Sequence, residues 1–274
     1  MLLLGKMSKK IRNLSIRRLE SPRKVYEQRV YNNMDKLFKT VRKGDVVLVE
    51  GSSEISRIIK LFTNSYWSHS AFYVGDELVK PESPYREKYI EKFGIDADHL
   101  IIEANGSEGV IAVPLRKYQN HNIRICRPYG ILPEDLNVVV KDVLSNIGKH
   151  YDNLNIRDIA LMLIPFHFNP FKKRAIKACL GSCNEFQVIC SGMIAKSFQS
   201  VGYPIVPALE PLAKTNRLLP DNPYGSKLIM RHYSQIVPRD FDISPNFEII
   251  KFNIIGSESF DYKFLWEDTL MDKN

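Results

Sequence analysis

The chain has 274 residues, of which 44% are hydrophobic, and carries a formal net charge of +8. This composition is ordinary for a globular protein, and no apolar run approaches the ~18 residues that span a bilayer. The four cysteines exclude the dense disulfide framework of a small secreted domain. Because the start, MLLLGKMSKK, lacks the apolar stretch of a signal peptide, the default expectation is a cytoplasmic protein.

The positive charge is concentrated at the N-terminus. Residues 1–43 contain 13 Lys and Arg against 3 Asp and Glu, whereas residues 44–274 contain 26 against 28. We therefore predict a basic helical extension over residues 1–42, a body over 43–254 and a tail over 255–274. A solvated arm explains this charge run, and attraction to an anionic membrane surface is the alternative. No nucleic-acid partner is expected, because the body is slightly acidic and its aromatics are not interleaved with basic residues.

The first half of the chain alternates helical and strand patterns. Apolar spacing predicts one or two helices within residues 11–43 and a short helix that begins near Ser53. Runs of β-branched and apolar residues predict five strands, of which the third and fourth form a hairpin. The five runs are VVLVEG (46–51), HSAFYVG (69–75), LIIEANG (100–106), GVIAVPL (109–115) and NIRICRP (122–128).

The second half is predicted to be mainly helical. Helical spacing indicates helices over 133–147, 156–164 and 188–202, the last ending at Gly202. Short strands are expected near 235–238 and 247–252. Helices mixed with mostly antiparallel strands indicate an α+β fold.

Cys190 is the candidate nucleophile. It lies near the start of the predicted helix 188–202, where free N–H groups and the helix dipole favour a thiolate and can hold an oxyanion. The alternative interpretation is a small buried apolar side chain, which is what most free cysteines are.

His69 and Glu103 are the candidate partners of Cys190. His69 begins the strand HSAFYVG, and Glu103 interrupts the apolar run LIIEA, where a carboxylate is costly without a partner. A carboxylate bound to an imidazole sets its tautomer and stabilises its charged form. Alternatively, His69 is structural and Glu103 faces water at a sheet edge.

Five segments in order resemble the permuted papain-like cysteine hydrolases, the YiiX-like branch of the NlpC superfamily. They are GDVVLVEG, YWSHSAFYVGD, IIEANGSEGVIAVPL, KHYDN and FQVICSGMIAKSFQSVG, and VPRDFDISPNFEIIKF looks like the closing segment of that family. The resemblance covers roughly residues 43–253. In this branch the histidine strand precedes the cysteine helix, as it does here.

The resemblance implies a fold, a reaction and a set of site residues. The fold would be a circularly permuted papain-like one, with an antiparallel sheet or half-barrel packed against the helix that carries the cysteine. Cys190 would be the nucleophile, His69 the base and Glu103 the orienting group, without a cofactor or metal. Tyr66, Trp67, Tyr151 and Ser191 would be candidate substrate contacts, although Tyr66 and Trp67 can equally serve only in packing.

This reaction would be hydrolysis, or acyl transfer, at an amide or ester through a thioester acyl-enzyme. The substrate would be a peptide or murein-type amide, or a lipid, as in the related lecithin-retinol acyltransferase branch. The chain departs from the family pattern at Cys190-Ser191-Gly192-Met193, where an acidic residue commonly follows the cysteine. This departure affects a substrate contact rather than the nucleophile.

Three other interpretations remain. Cys179, Cys183 and Cys190 could bind zinc with His167, although the paired CxxC spacing is missing. The chain could instead be a non-catalytic binding domain that the basic extension recruits to membranes. Finally, the phenylalanines of the segment 156–171 either line an acyl-chain pocket or pack in the core.

Overall fold

The computed structural model describes residues 31–105, 108–149, 188–211 and 226–252. The predicted helix 156–164 and tail 255–274 lie outside these ranges. The described helices are α1 (Met34–Thr40), α2 (Glu54–Thr63), α3 (Arg86–Phe93), α4 (Pro133–Ser145), α5 (Met193–Ser200) and α6 (Pro238–Ile243). The described strands are β1 (Val46–Val49), β2 (His69–Gly75), β3 (Leu100–Asn105), β4 (Gly109–Pro114), β5 (Ile123–Pro128), β6 (Pro207–Pro211), β7 (Ser226–Met230) and β8 (Phe247–Ile250).

Six of the described strands form one antiparallel sheet in the order β4-β3-β2-β1-β5-β8. Strands β1, β3 and β4 are rich in the apolar, β-branched residues expected of a buried sheet. Val49 at the end of β1 pairs with His69 on one side and with Ile123 on the other. Because β2 and β3 run antiparallel, the start of β2 lies beside the end of β3, where Glu103 is found.

The two faces of this sheet are covered by different helices. On one face, α4 and α5 bury Val139, Val143 and Phe198 against alternate strand residues such as Leu48 and Phe72. The other face carries a second cluster, in which α1 packs on the intervening strand residues. Successive side chains of a strand point to opposite faces. His69 and Glu103 therefore belong to the second face, which we call the α1 face.

The described part of the basic extension, residues 31–42, is part of this core. Met34, Leu37 and Val41 are buried on the α1 face, and Asn33 caps α1 by accepting a hydrogen bond from the Lys36 N–H group. Arg127 on β5 donates to the Thr40 carbonyl at 2.8 Å and to the buried Asp45 carboxylate. Thus α1 packs as one layer of the fold.

The α+β architecture is confirmed, and the sheet among the described residues is open rather than closed into a barrel. The hairpin of β3 and β4 is present, with Glu103 paired to Ile111. A second described sheet, the hairpin of β6 and β7, was not predicted.

Two local predictions differ from the structure. The predicted strand at 235–238 is wrong: Tyr233–Gln235 forms a 3₁₀ turn and Pro238 begins α6. Proline suits the first position of a helix, and the Asp240 carboxylate accepts a hydrogen bond from the Val237 N–H group at 2.8 Å. The polar segment 80–99 contains α3, which buries Tyr89 and has too sparse an apolar pattern to be recognised from sequence.

Candidate active site

His69 lies at the first position of β2, at the end of the sheet. The Val49 pairing holds its backbone, and its side chain is 19% exposed. Its two ring nitrogens face different groups. Nδ1 lies 3.0 Å from the Cys190 sulfur, and Nε2 lies 3.3 Å from Oε2 of Glu103. The imidazole is thus placed between a thiol and a carboxylate.

Glu103 on β3 is almost completely buried, with 1% of its side chain exposed. Burial alone would raise its pKa, but the neighbouring His69 and Lys117 cations outweigh burial and lower the pKa of this carboxyl to about 2. The Lys117 ammonium contacts Oε1, and the Tyr118 hydroxyl donates to Oε2. Glu103 is therefore an ionised acceptor with three donors.

Cys190 lies in a π-helical turn, Val188–Gly192, directly before α5. The turn packs against β2 and β3, and Cys190 remains partly exposed. Single π turns of this kind often occur at functional sites. Our prediction placed Cys190 near the start of an α-helix; instead, α5 begins three residues later, at Met193.

The electrostatics favour a thiolate–imidazolium pair. Burial opposes both charges. It is outweighed at Cys190 by the His69 cation and by a hydrogen bond from the Ser70 backbone N–H group, which lower the pKa of the thiol. At His69, the Cys190 thiolate and then the Glu103 carboxylate raise the pKa to about 10. The described contacts of the thiolate are thus an imidazolium and a strand amide, rather than the helix-start N–H groups on which the sequence argument rested.

The predicted substrate contacts have varied environments. Tyr66 is exposed, and Tyr151 lies outside the described residues. Trp67 is buried; its indole N–H group donates to Oδ2 of Asp242 at 2.9 Å, and the Arg124 guanidinium lies 5.0 Å from the ring centre.

Ser191 is fully buried, and its hydroxyl donates to the Ile236 carbonyl at 2.7 Å. In this conformation it offers no exposed surface to a substrate. Ser191 therefore contacts Ile236, which lies just before α6, and Trp67 contacts Asp242 within α6.

Sequence reasoning missed Lys117 and Tyr118. Both lie in the 3₁₀ turn Leu115–Tyr118 that follows β4. The fragment LRKY has no motif character. The available signal was the buried carboxylate of Glu103, which required donors beyond a single imidazole.

The described residues contain no group of three or more His, Cys, Asp or Glu side chains suited to a metal ion. Cys179, Cys183 and His167 of the zinc hypothesis lie outside the described ranges. Within the part of the chain that the structure describes, none of the helices combines the length and apolar character needed to cross a bilayer.

Comparisons with known proteins give one family match, which covers part of the chain. Residues 40–158 match the permuted papain-like amidase enzymes of the YaeF/YiiX type, the C92 peptidase family. That range includes His69 and Glu103 and ends before Cys190. None of the curated proteins matches the chain. Among solved structures, the chain is similar to the crystal structure of the metalloprotein YiiX from Escherichia coli O157:H7, with 16% identity, a TM-score of 0.43, and coverage of 78% of this chain and 98% of that one. Over residues 40–158, which are less than half of its length, the chain is similar to the permuted papain-like amidase enzymes.

Proposed function

We propose that the protein hydrolyses an amide bond through a thioester formed on Cys190. The observation that supports this proposal is the 3.0 Å distance between the Cys190 sulfur and Nδ1 of His69, with Glu103 on the other ring nitrogen. A nucleophile within hydrogen-bond reach of a base that a third group orients is the general arrangement of covalent acyl-transfer catalysis.

In the first half-reaction the Cys190 thiolate attacks the carbonyl carbon. As the tetrahedral adduct collapses, the carbon–nitrogen bond breaks and the His69 imidazolium gives its Nδ1 proton to the leaving amine. The products are a thioester and a neutral imidazole. Glu103 stays ionised and accepts from Nε2, which keeps Nδ1 directed at the sulfur.

In the second half-reaction the neutral imidazole accepts a proton from water, and the resulting hydroxide attacks the thioester. Collapse of this adduct breaks the carbon–sulfur bond and releases a carboxylic acid and the thiolate. An amine or alcohol in place of water would make the same intermediate an acyl donor. The family match to amidases supports water and an amide substrate, of which peptide and murein-type amides are the proposed class.

Selective alkylation tests the activated thiol. We expect iodoacetamide at pH 6 to label Cys190 faster than free cysteine, because an ordinary thiol with a pKa of about 8.5 is almost fully protonated there. Cys126 is the internal control: it is buried, and burial raises the pKa of its thiol. The modified residue is identified by mass spectrometry of peptides.

One variant completes this test. His69→Ala removes the imidazolium, and we expect Cys190 labelling at pH 6 to fall at least tenfold. If Cys190 in the unmodified protein reacts no faster than free cysteine, the proposal that Cys190 is an activated nucleophile is wrong.

A separate experiment distinguishes peptide from lipid substrates. The protein is incubated with murein peptides or phospholipids, and the mass of the Cys190 adduct identifies the acyl group. Cys190→Ala is the blank.

A further inference from the structure

The carboxylate of Glu103 is held by the turn Leu115–Tyr118 as well as by His69. Tyr118 is buried, and its hydroxyl donates to Oε2, the same oxygen that faces Nε2 of His69. Burial, followed by the negative charge of Glu103, raises the pKa of Tyr118 far above its ordinary value, so the phenol remains a donor. Lys117, which is 43% exposed, contacts the other oxygen. The position of this turn therefore sets the position of the carboxylate.

The N-terminal extension holds this turn in place through Asn32. The side-chain amide nitrogen of Asn32 faces three backbone carbonyls: Tyr118 at 3.3 Å, Gln119 at 2.9 Å and His121 at 2.6 Å. Asn32 is only 3% exposed. These carbonyls lie in a turn rather than in a strand ladder, and the Tyr118 carbonyl also accepts a hydrogen bond from the His121 N–H group at 3.0 Å. Removing the Asn32 amide takes a donor away from these carbonyls and so loosens the turn.

Helix α1 adds apolar contacts at the same place. Leu115 and Tyr118 belong to the buried cluster that contains Met34 and Leu37. Next to them, the Arg116 guanidinium lies 5.2 Å from the ring centre of Phe38 and donates to Asp96 at 2.7 Å. Residues 32–38 and the turn are thus packed as one unit.

We propose that Asn32 and Tyr118 are positioning residues of the active site, because they hold Glu103 against His69. This inference rests on the proposed function. A connected series of contacts runs from Asn32 to the Tyr118 turn, to Glu103, to His69 and to Cys190. Besides carrying basic charge, the N-terminal extension accordingly contributes to nucleophile activation.

The physical consequence of losing either residue has a defined sign. Without the Tyr118 hydroxyl, Glu103 is drawn toward the Lys117 ammonium and away from Nε2. His69 then loses the contact that favours its cation, and Cys190 loses part of the charge that lowers its pKa. The direct effect of the Glu103 charge, which raises the pKa of Cys190, is the smallest contribution at that sulfur and does not reverse the sign. A purely electrostatic role of Tyr118 predicts the opposite result: losing a neutral donor would leave more negative charge for His69 to feel and would raise the pKa of His69.

The test is the pH profile of Cys190 alkylation by iodoacetamide in the full-length protein. For Tyr118→Phe and for Asn32→Ala we expect the half-maximal pH to rise, with a roughly tenfold lower rate at pH 6, the change that one pKa unit produces. Tyr203→Phe and Asn246→Ala are matched controls. The Tyr203 hydroxyl donates to the Tyr129 carbonyl at 2.9 Å, and the Asn246 amide donates to the Pro204 carbonyl at 3.1 Å.

The controls lie near the start of β8, at the opposite end of the sheet from His69. They should lower the unfolding temperature without moving the alkylation profile. An unchanged or lower half-maximal pH for Tyr118→Phe overturns the proposal. An unchanged alkylation profile in folded Asn32→Ala would show that Asn32 is not a positioning residue. If Asn32→Ala does not fold, the profile of Tyr118→Phe tests the proposal. Failure of the proposed function is separate, since it appears as an unactivated Cys190 in the unmodified protein.

Discussion

At the scale of single residues, the charge of His69 depends on two anions on opposite edges of its ring. The Cys190 sulfur contacts Nδ1, and the Glu103 carboxylate contacts Nε2. Together they outweigh the desolvation that favours a neutral imidazole. The imidazolium therefore persists above the ordinary histidine pKa of about 6.5, and the thiolate persists below the ordinary cysteine range. Between the lowered pKa of the thiol and the raised pKa of the imidazole, both partners are charged, as the proposed reaction requires.

A direct prediction concerns the titration of His69. Its NMR ring signal, assigned by its absence from His69→Ala, should remain that of the protonated form at pH 8. In Glu103→Gln the midpoint should move to lower pH, because a neutral amide no longer stabilises the cation. Cys190→Ala should shift it in the same direction. A midpoint near 6.5 in the unmodified protein would contradict the ion pair.

At the scale of elements, strands β2 and β3 place the imidazole and the carboxylate, and the turn before α5 brings the sulfur to them. The strands could be read from β-branched runs bounded by turn residues. The ordered histidine, glutamate and cysteine segments also identified the three residues as candidates. The support from Lys117, Tyr118 and Asn32 could not be read in this way. Lys117 and Tyr118 lie in a short turn without a sequence motif, and Asn32 contacts that turn across more than 80 residues of sequence.

Helix α1 is the element whose importance the charge pattern concealed. We expect Leu37→Ala to lower the free energy of unfolding by about 2–5 kcal/mol, because Leu37 is 0% exposed and its truncation leaves a cavity. Leu61→Ala is the matched control: Leu61 on α2 is 74% exposed, and its substitution should cost less than about 0.5 kcal/mol. Urea denaturation measures both. Equal, small effects would show that α1 is not part of the core.

At the scale of the whole molecule, the charge and the core contacts of the extension are separable. Residues 1–30 contain 9 Lys and Arg against 2 Asp and Glu, and the Asn32 contacts begin immediately after them. Deleting residues 1–42 would remove Met34, Leu37 and Val41 from the core and so confuse membrane binding with folding.

A charge-neutralised variant tests the membrane proposal without that deletion. Replacing the Lys and Arg of residues 1–30 by Gln should abolish co-sedimentation with vesicles of phosphatidylserine and phosphatidylcholine, since each basic residue near an anionic surface contributes about 1 kcal/mol. Vesicles of phosphatidylcholine alone are the control. The unfolding temperature, measured in parallel, separates lost binding from lost fold. If the charge-neutralised variant binds anionic vesicles as well as the unmodified protein does, the basic residues of the extension do not bind the membrane.

The sequence by itself determined the α+β class, the main strands and the three residues His69, Glu103 and Cys190 as candidates. It could do so because strand periodicity is local, and because a histidine, a buried carboxylate and a cysteine are chemically distinctive residue types. Only the tertiary structure decided that His69 contacts both partners, that Ser191 is buried and that Asn32 holds the turn of Tyr118. These outcomes depend on long-range packing and on backbone carbonyls, which every residue carries and no sequence pattern distinguishes.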